Sequence, residues 1–270
     1  MIKKLVPIAL LLLPAACKVN PYKTTNKAYK EQVKEYARQL RMTPLDAGTD
    51  SVPPVPYWVG TTNFNLRKPN FVIIHHTAQN SCPQTLQTFT TVKTQVSAHY
   101  VICKDGAIHH MLNDYLRAWQ AGVSRWGNIT DVNSISVGIE LDNNGYEPFP
   151  DAQINSLLRL LDRLKKSYNI PAANFIGHGD IAPTRKNDPN VWFPWKTLAD
   201  KGFGSWYADT TGMMLPDGFN TLMTLRLVGY DTRDSSAAVL AFKRHFEQDT
   251  TRIWGAADEK VLYMLSRQSL

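Results

Sequence analysis

Apolar residues along this chain of 270 fall into patterns of two periods, and each predicts a different element. Unbroken or alternating runs come first. Phe71-Val-Ile-Ile, ahead of His75-His76-Thr77, reads as a buried strand, and Ser134-Ile-Ser-Val-Gly-Ile-Glu140-Leu141 as a second. Ala98-His-Tyr-Val-Ile-Cys103 reads as a strand entering the turn Lys104-Asp105-Gly106, with Ala107 to Leu112 as its hairpin partner. Helical spacing follows in Ile154, Leu157, Leu158, Leu161 and Leu164, which predict a helix from Ala152 to Tyr168. Asp151 stands near its start and Pro171 beyond its end. Three more apolar helices are predicted at Phe219 to Leu227, Ser236 to Phe246 and Asp258 to Leu265. Near the N-terminus, Tyr29, Val33, Tyr36 and Leu40 form one stripe, predicting a short helix capped by Thr25 or Asn26 that docks on the domain after it.

Alternating strands and helices predict an α/β (α+β) fold: a mixed central β-sheet flanked by helices, followed by a small three-helix bundle. The first residues stand outside that fold. Lys3 and Lys4, the apolar run Leu5 to Leu13 and the small residues Pro14-Ala15-Ala16 have the pattern of an export signal over residues 1–16. The segment ending in Cys17 resembles a lipobox, although proline replaces the usual leucine three positions before the cysteine. The tether then runs over 17–56 with the extended Pro53-Pro54-Val55-Pro56 cluster. The α/β domain occupies 57–205 and the helical module 206–270.

Composition narrows the partners. An apolar share of 43% is that of a globular chain, and a formal charge of +7 suits an anionic polymer or membrane surface. Without a basic run interleaved with aromatics, nucleic acid is not an expected partner. With Cys17 lipidated, Cys82 and Cys103 lie in an oxidising compartment, where either a disulfide or two buried thiols fits.

The chemistry concentrates in Gly177-His178-Gly-Asp-Ile-Ala-Pro-Thr-Arg-Lys186-Asn-Asp188-Pro, which reads as an irregular loop carrying a histidine, a lysine and an aspartate. Imidazole and carboxylate both ligate zinc, and a catalytic zinc takes three protein ligands plus an open position. A third ligand can come from the strand end at His75 or His76; they face opposite sides, and alternation alone does not choose between them. On the second strand, Val137, Ile139 and Leu141 face one way, while Ser136, Gly138 and Glu140 face the other. A glutamate there is costly unless it is paired or serves a site. Asp142, Glu147 and Asp151 are its competitors, all in turn-like surroundings. His245, between Arg244 and Phe246, reads as a surface residue, and His109 and His110 as hairpin positions. Most of Trp58, Trp119, Trp126, Trp192 and Trp195 read as core.

The segments HHTA, SAHYVICKDG, RAWQAGVSRW, SVGIELDNNG and GHGDIAPTRKNDPNVWFPW resemble, in order over about 60 to 200, the zinc-dependent N-acetylmuramoyl-L-alanine amidases. That domain is shared with peptidoglycan recognition proteins. The resemblance implies Zn2+ held by His75, His178 and Asp188, with Glu140 and Lys186 catalytic. It implies peptidoglycan or its muropeptide fragments as substrate. TLRLVGYDT and AVLAFKRHFEQ are similar to a peptidoglycan-binding three-helix module, and with Cys17 they imply a monomeric enzyme lipid-anchored at the outer membrane, facing the periplasm. One departure is Gln120, where the family often has a substrate-contacting histidine; it implies altered glycan or lactyl recognition. Two other readings remain: a peptidoglycan-binding anchor without catalysis, and a zinc enzyme cutting within the stem peptide.

Overall fold

A computed structural model describes residues 20–41, 59–66 and 68–268. The export signal, Cys17, the Pro53-to-Pro56 cluster and Trp58 lie outside the described residues. The chain divides into two compact units, Met1–Phe64 and Asn65–Leu270.

In the first unit, helix α1 spans Lys23–Leu40, rich in the strong helix formers Lys, Glu, Gln and Ala and braced by a Glu35–Arg38 ion pair of 2.7 Å. It begins after Tyr22 with no side-chain cap, so Thr25 and Asn26 lie inside the helix rather than at its start. None of its residues is buried.

The second unit is built on five strands: β1 Phe71–His76, β2 Tyr100–Ile102, β3 Ile108–His110, β4 Ser136–Leu141 and β5 Phe175–Gly177. Their order is β3-β2-β4-β1-β5. All neighbours are parallel except the β2–β3 hairpin, which Gly106 turns at φ +86. Every residue of β1 and β4 is buried, as expected for parallel strands covered on both faces.

One face of the sheet packs Val72, Ile74, Val137, Ile139 and Leu141 against the amphipathic helix α3, Asp151–Tyr168, which contributes Ile154, Leu157, Leu161 and Leu164. That helix stops at Asn169, whose φ of 53 lies in the left-handed region. The other face carries Phe71, Ile73 and Ile176 against Ala121, Val132 and Ile181. Helix α2, Cys82–Thr90, is capped by Ser81 and tied to the end of β2 by a Cys82–Cys103 disulfide with Cα atoms 5.4 Å apart.

Three short elements around the ligand loop have no clear signal in the sequence: β5, the one-turn helix α4 (His178–Ile181) and α5 (Trp195–Asp200). The segment expected to be irregular throughout therefore begins as a helical turn. The C-terminal helices α6 (Thr221–Val228), α7 (Ser235–Glu247) and α8 (Ala256–Ser266) fall close to their predicted positions. They enclose Leu225, Phe242, Phe246 and Leu262. Trp126 of the sheet domain packs against this cluster, and the Gly127 N–H donates to the Gly229 carbonyl at 2.7 Å. Among the described residues, no helix is long and apolar enough to cross a membrane.

Candidate metal centre

Strand register assembles the site. His75 of β1 is paired with Glu140 of β4, and in a parallel pair registered residues share a face. On the other side of β1, Ile74 is paired with Gly177, the last residue of β5, so His178 leaves the sheet beside His75. The site thus crowns the C-terminal ends of three adjacent parallel strands, where ligand sites of open α/β sheets form.

Asp188 completes the cluster. Its Oδ2 lies 3.0 Å from His75 Nδ1 and 3.0 Å from His178 Nδ1, and the two Nδ1 atoms are 2.9 Å apart. Both Nε2 atoms are committed elsewhere as donors: His75 to the Gln120 side-chain oxygen and His178 to the Ala121 carbonyl at 3.1 Å. The Gln120 amide is oriented in turn. Ser136 Oγ spends its proton on the Val132 carbonyl and so accepts from Gln120 Nε2 at 2.8 Å. Two imidazole lone pairs and a carboxylate oxygen therefore converge with no proton of their own between them. Protons in that gap would face one another at 2.9 Å, whereas a cation satisfies all three. Ligand atoms around tetrahedral zinc sit about 3.3 Å apart, close to these separations. His75, His178 and Asp188 are all buried and could hold a metal ion. Burial alone would raise the Asp188 carboxyl, but the two imidazoles beside it outweigh that and hold it well below the usual carboxylate range.

Glu140 approaches this cluster without joining it. Its Oε1 is 3.9 Å from His75 Nδ1, and its buried Oε2 has no hydrogen-bond partner among the described residues. Burial pushes its carboxyl up to about 7; His75 opposes this, Asp188 adds to it and Lys186 opposes it. Lys186 is half-buried, and among the described residues its ammonium has no hydrogen-bond or ion-pair partner. It acts on Glu140 and His76 as a nearby positive charge.

His76 is buried on the opposite side of β1, its Nδ1 unpartnered among the described residues and its basicity depressed by burial. His99 is internal to the sheet domain, bonded to the Leu116 carbonyl and the Gly138 N–H.

Gln120 is 9% exposed and lies behind His75, fixing the proton on Nε2. It lies flat over Gly138, where an added Cβ would come within 2.6 Å of its Cγ. One expectation changes: His245 is not at the surface; it is 5% exposed and its Nδ1 lies 2.7 Å from Asp180 Oδ2. Trp195 is core as expected, whereas Trp119 and Trp192 are about half exposed.

The family model for N-acetylmuramoyl-L-alanine amidase matches residues 65–191, which contain all five site residues. The chain is 33% identical over 206 residues to N-acetylmuramoyl-L-alanine amidase AmiD of Escherichia coli, covering 65% of this chain and 74% of that protein. It is 42% identical over 103 residues to the 1,6-anhydro-N-acetylmuramyl-L-alanine amidase AmpD of Haemophilus influenzae, covering 38% of this chain and 56% of that one. Among solved structures, E. coli AmiD in complex with anhydro-N-acetylmuramic acid-L-Ala-D-γ-Glu-L-Lys superposes with a TM-score of 0.68 at 28% identity, covering 77% of this chain and 93% of that chain. AmpDh3 of Pseudomonas aeruginosa, in complex with anhydromuramic pentapeptide, gives 0.69 at 27% identity over 81% and 99%. With an identity of 33% across 74% of AmiD, this chain belongs to the N-acetylmuramoyl-L-alanine amidase family.

Proposed function

We propose that this amidase hydrolyses the bond between the lactyl group of N-acetylmuramic acid and L-alanine with zinc held by His75, His178 and Asp188. The observation that carries this is the convergence of two Nδ1 lone pairs and a carboxylate oxygen within 3.0 Å of one another. When bound, zinc supplies Lewis acidity and a water acidic enough to lose its proton near neutrality. Glu140 takes that proton and delivers it to the leaving amine; its Oε2, unpartnered among the described residues, is available for both halves of the task. Lys186, free of other partners among the described residues, neutralises charge developing on the carbonyl oxygen. Gln120 and the Ala121 carbonyl hold the two ligand imidazoles in the tautomer that turns Nδ1 to the metal.

Muropeptide fragments are the proposed substrate, in line with the ligands in the AmiD and AmpDh3 complexes. Lipid attachment at Cys17 and a place at the outer membrane facing the periplasm are part of the same proposal. The basic–apolar–small pattern of residues 1–17 supports it, and the Cys82–Cys103 disulfide fits an oxidising compartment. The test is to incubate the chain from Cys17 onward with muropeptides, with chelator and with restored zinc, and to weigh the products. A free peptide beginning with L-alanine, lost on chelation and regained with zinc, is expected. Cleavage inside the stem peptide, or none with zinc tightly bound, would overturn the reading.

A further inference from the structure

Two residues beyond the catalytic set reach toward it from the C-terminal bundle. Asp180, two positions after His178 and 3% exposed, is bonded at both oxygens. Its Oδ2 accepts from the Gly177 N–H at 2.7 Å and from His245 Nδ1 at 2.7 Å; its Oδ1 accepts from the Tyr230 hydroxyl at 2.9 Å. The first of these bonds caps α4, the single turn that begins with His178. A four-residue turn has almost no stability of its own, so its direction depends on what grips its ends.

The grip comes from another core. His245 lies on α7 and Tyr230 in the turn before it, both packed with the helical bundle. The His245 ring stacks on Trp195 with centroids 3.9 Å apart and planes 10° off parallel, which fixes the direction of its Nδ1–H. Burial, reinforced by the Asp180 charge, pushes the Tyr230 phenol far up, so it stays a donor. Arg244, one residue earlier on α7, presses against Gly179, where an added Cβ would lie 3.1 Å from its Nη1. The Gly179 N–H donates to the Asp188 carbonyl at 2.7 Å, so the same short turn also ties down the third ligand residue.

We propose that His245 and Tyr230 are positioning residues for the metal centre: through Asp180 they aim the turn that presents His178. The bundle is then part of the catalytic apparatus and not solely a wall-binding attachment. This rests on the metal reading given under Proposed function. Groups bonded directly to a metal-ligating histidine typically govern about 10–100-fold in metal affinity, and His245 and Tyr230 act further out, through Asp180 and the turn.

The test measures zinc affinity of the full chain by chelator competition, beside its melting temperature. His245→Phe keeps the ring on Trp195 but removes the donor, His245→Asn keeps a donor and removes the stack, and Val239→Ala loosens the bundle without touching Asp180. Zinc affinity is expected to fall in His245→Phe by up to about tenfold, the low end of the range for direct partners. It should recover most of the way in His245→Asn and stay unchanged in Val239→Ala, whatever the three melting temperatures. Should His245→Phe fail to fold, Tyr230→Phe removes a single hydroxyl and is expected to weaken zinc by a smaller factor. Affinity that tracks melting temperature across the set, or that is unchanged in His245→Phe or its Tyr230→Phe substitute, overturns the positioning role alone. A wild-type chain that binds no zinc overturns both this role and the metal centre.

Discussion

The two faces of the central sheet are made by the same two strands and do opposite things. Toward α3, Val72, Ile74, Val137, Ile139 and Leu141 form continuous apolar packing, with His76 the one polar residue of β1 turned to that side. Toward the loops, Ser136, Gly138, Glu140 and His75 build a polar layer in which the orphaned Glu140 Oε2 is tolerated. Burial is equally complete on both sides, so burial alone does not separate stability from function. What separates them is whether polar side chains gather at one point. On the first face His76 stands alone, its Nδ1 unpartnered among the described residues, whereas the second brings His75 and Glu140 together with His178 and Asp188.

The largest expected effect falls on the polar face. Glu140→Ala should lower turnover by roughly 10²–10⁴-fold, the range for a lost general base, while zinc stays bound. Since Oε2 has no partner to lose, the melting temperature of the metal-free chain should not fall. Zinc lost along with turnover would make Glu140 a ligand and blur the distinction between the faces. On the apolar face, Leu161→Ala should destabilise by about 2–5 kcal/mol in denaturant titration and leave kcat of the remaining folded protein intact. A kcat loss in that variant would show that α3 also shapes the site. The smallest effect is expected from Gly138→Ala, whose new Cβ pushes on Gln120 and loosens its hold on His75. Zinc affinity should drop about tenfold, with a stability loss of about 1–3 kcal/mol from the overpacking. An unchanged affinity would demote Gln120 from tautomer control to filler.

Much of this was legible in the sequence. Long apolar runs and helical spacing located β1, β4 and α3 because each buries a whole face and so carries a period. The alternation along β4 separated Glu140 from Ile139 and Leu141 before any contact was known. β5, α4 and α5 escaped for the opposite reason: at three, four and six residues they are too short to carry a period and are held by neighbours. Alternation left His75 and His76 undecided, since only the strand's orientation in the sheet, or the family resemblance, could choose. His245 was misread because its partner lies 65 residues away, and nothing in Arg244-His245-Phe246 announces it. The bond from His75 to Gln120 was as silent: nothing in Trp119-Gln120-Ala121 announces a partner 45 residues earlier.

The adjacent pair His75-His76 also bears on how the protein matures. A slip of β1 by one residue against β4 would put His76 beside Glu140 and turn Ile74 into the polar layer, exchanging the two faces of the strand. Such a chain could keep its secondary structure and still be unable to close the three-ligand cluster. The three-residue cluster is thus a reading of strand register: the observed pairing is what sets His75 beside His178 and Asp188.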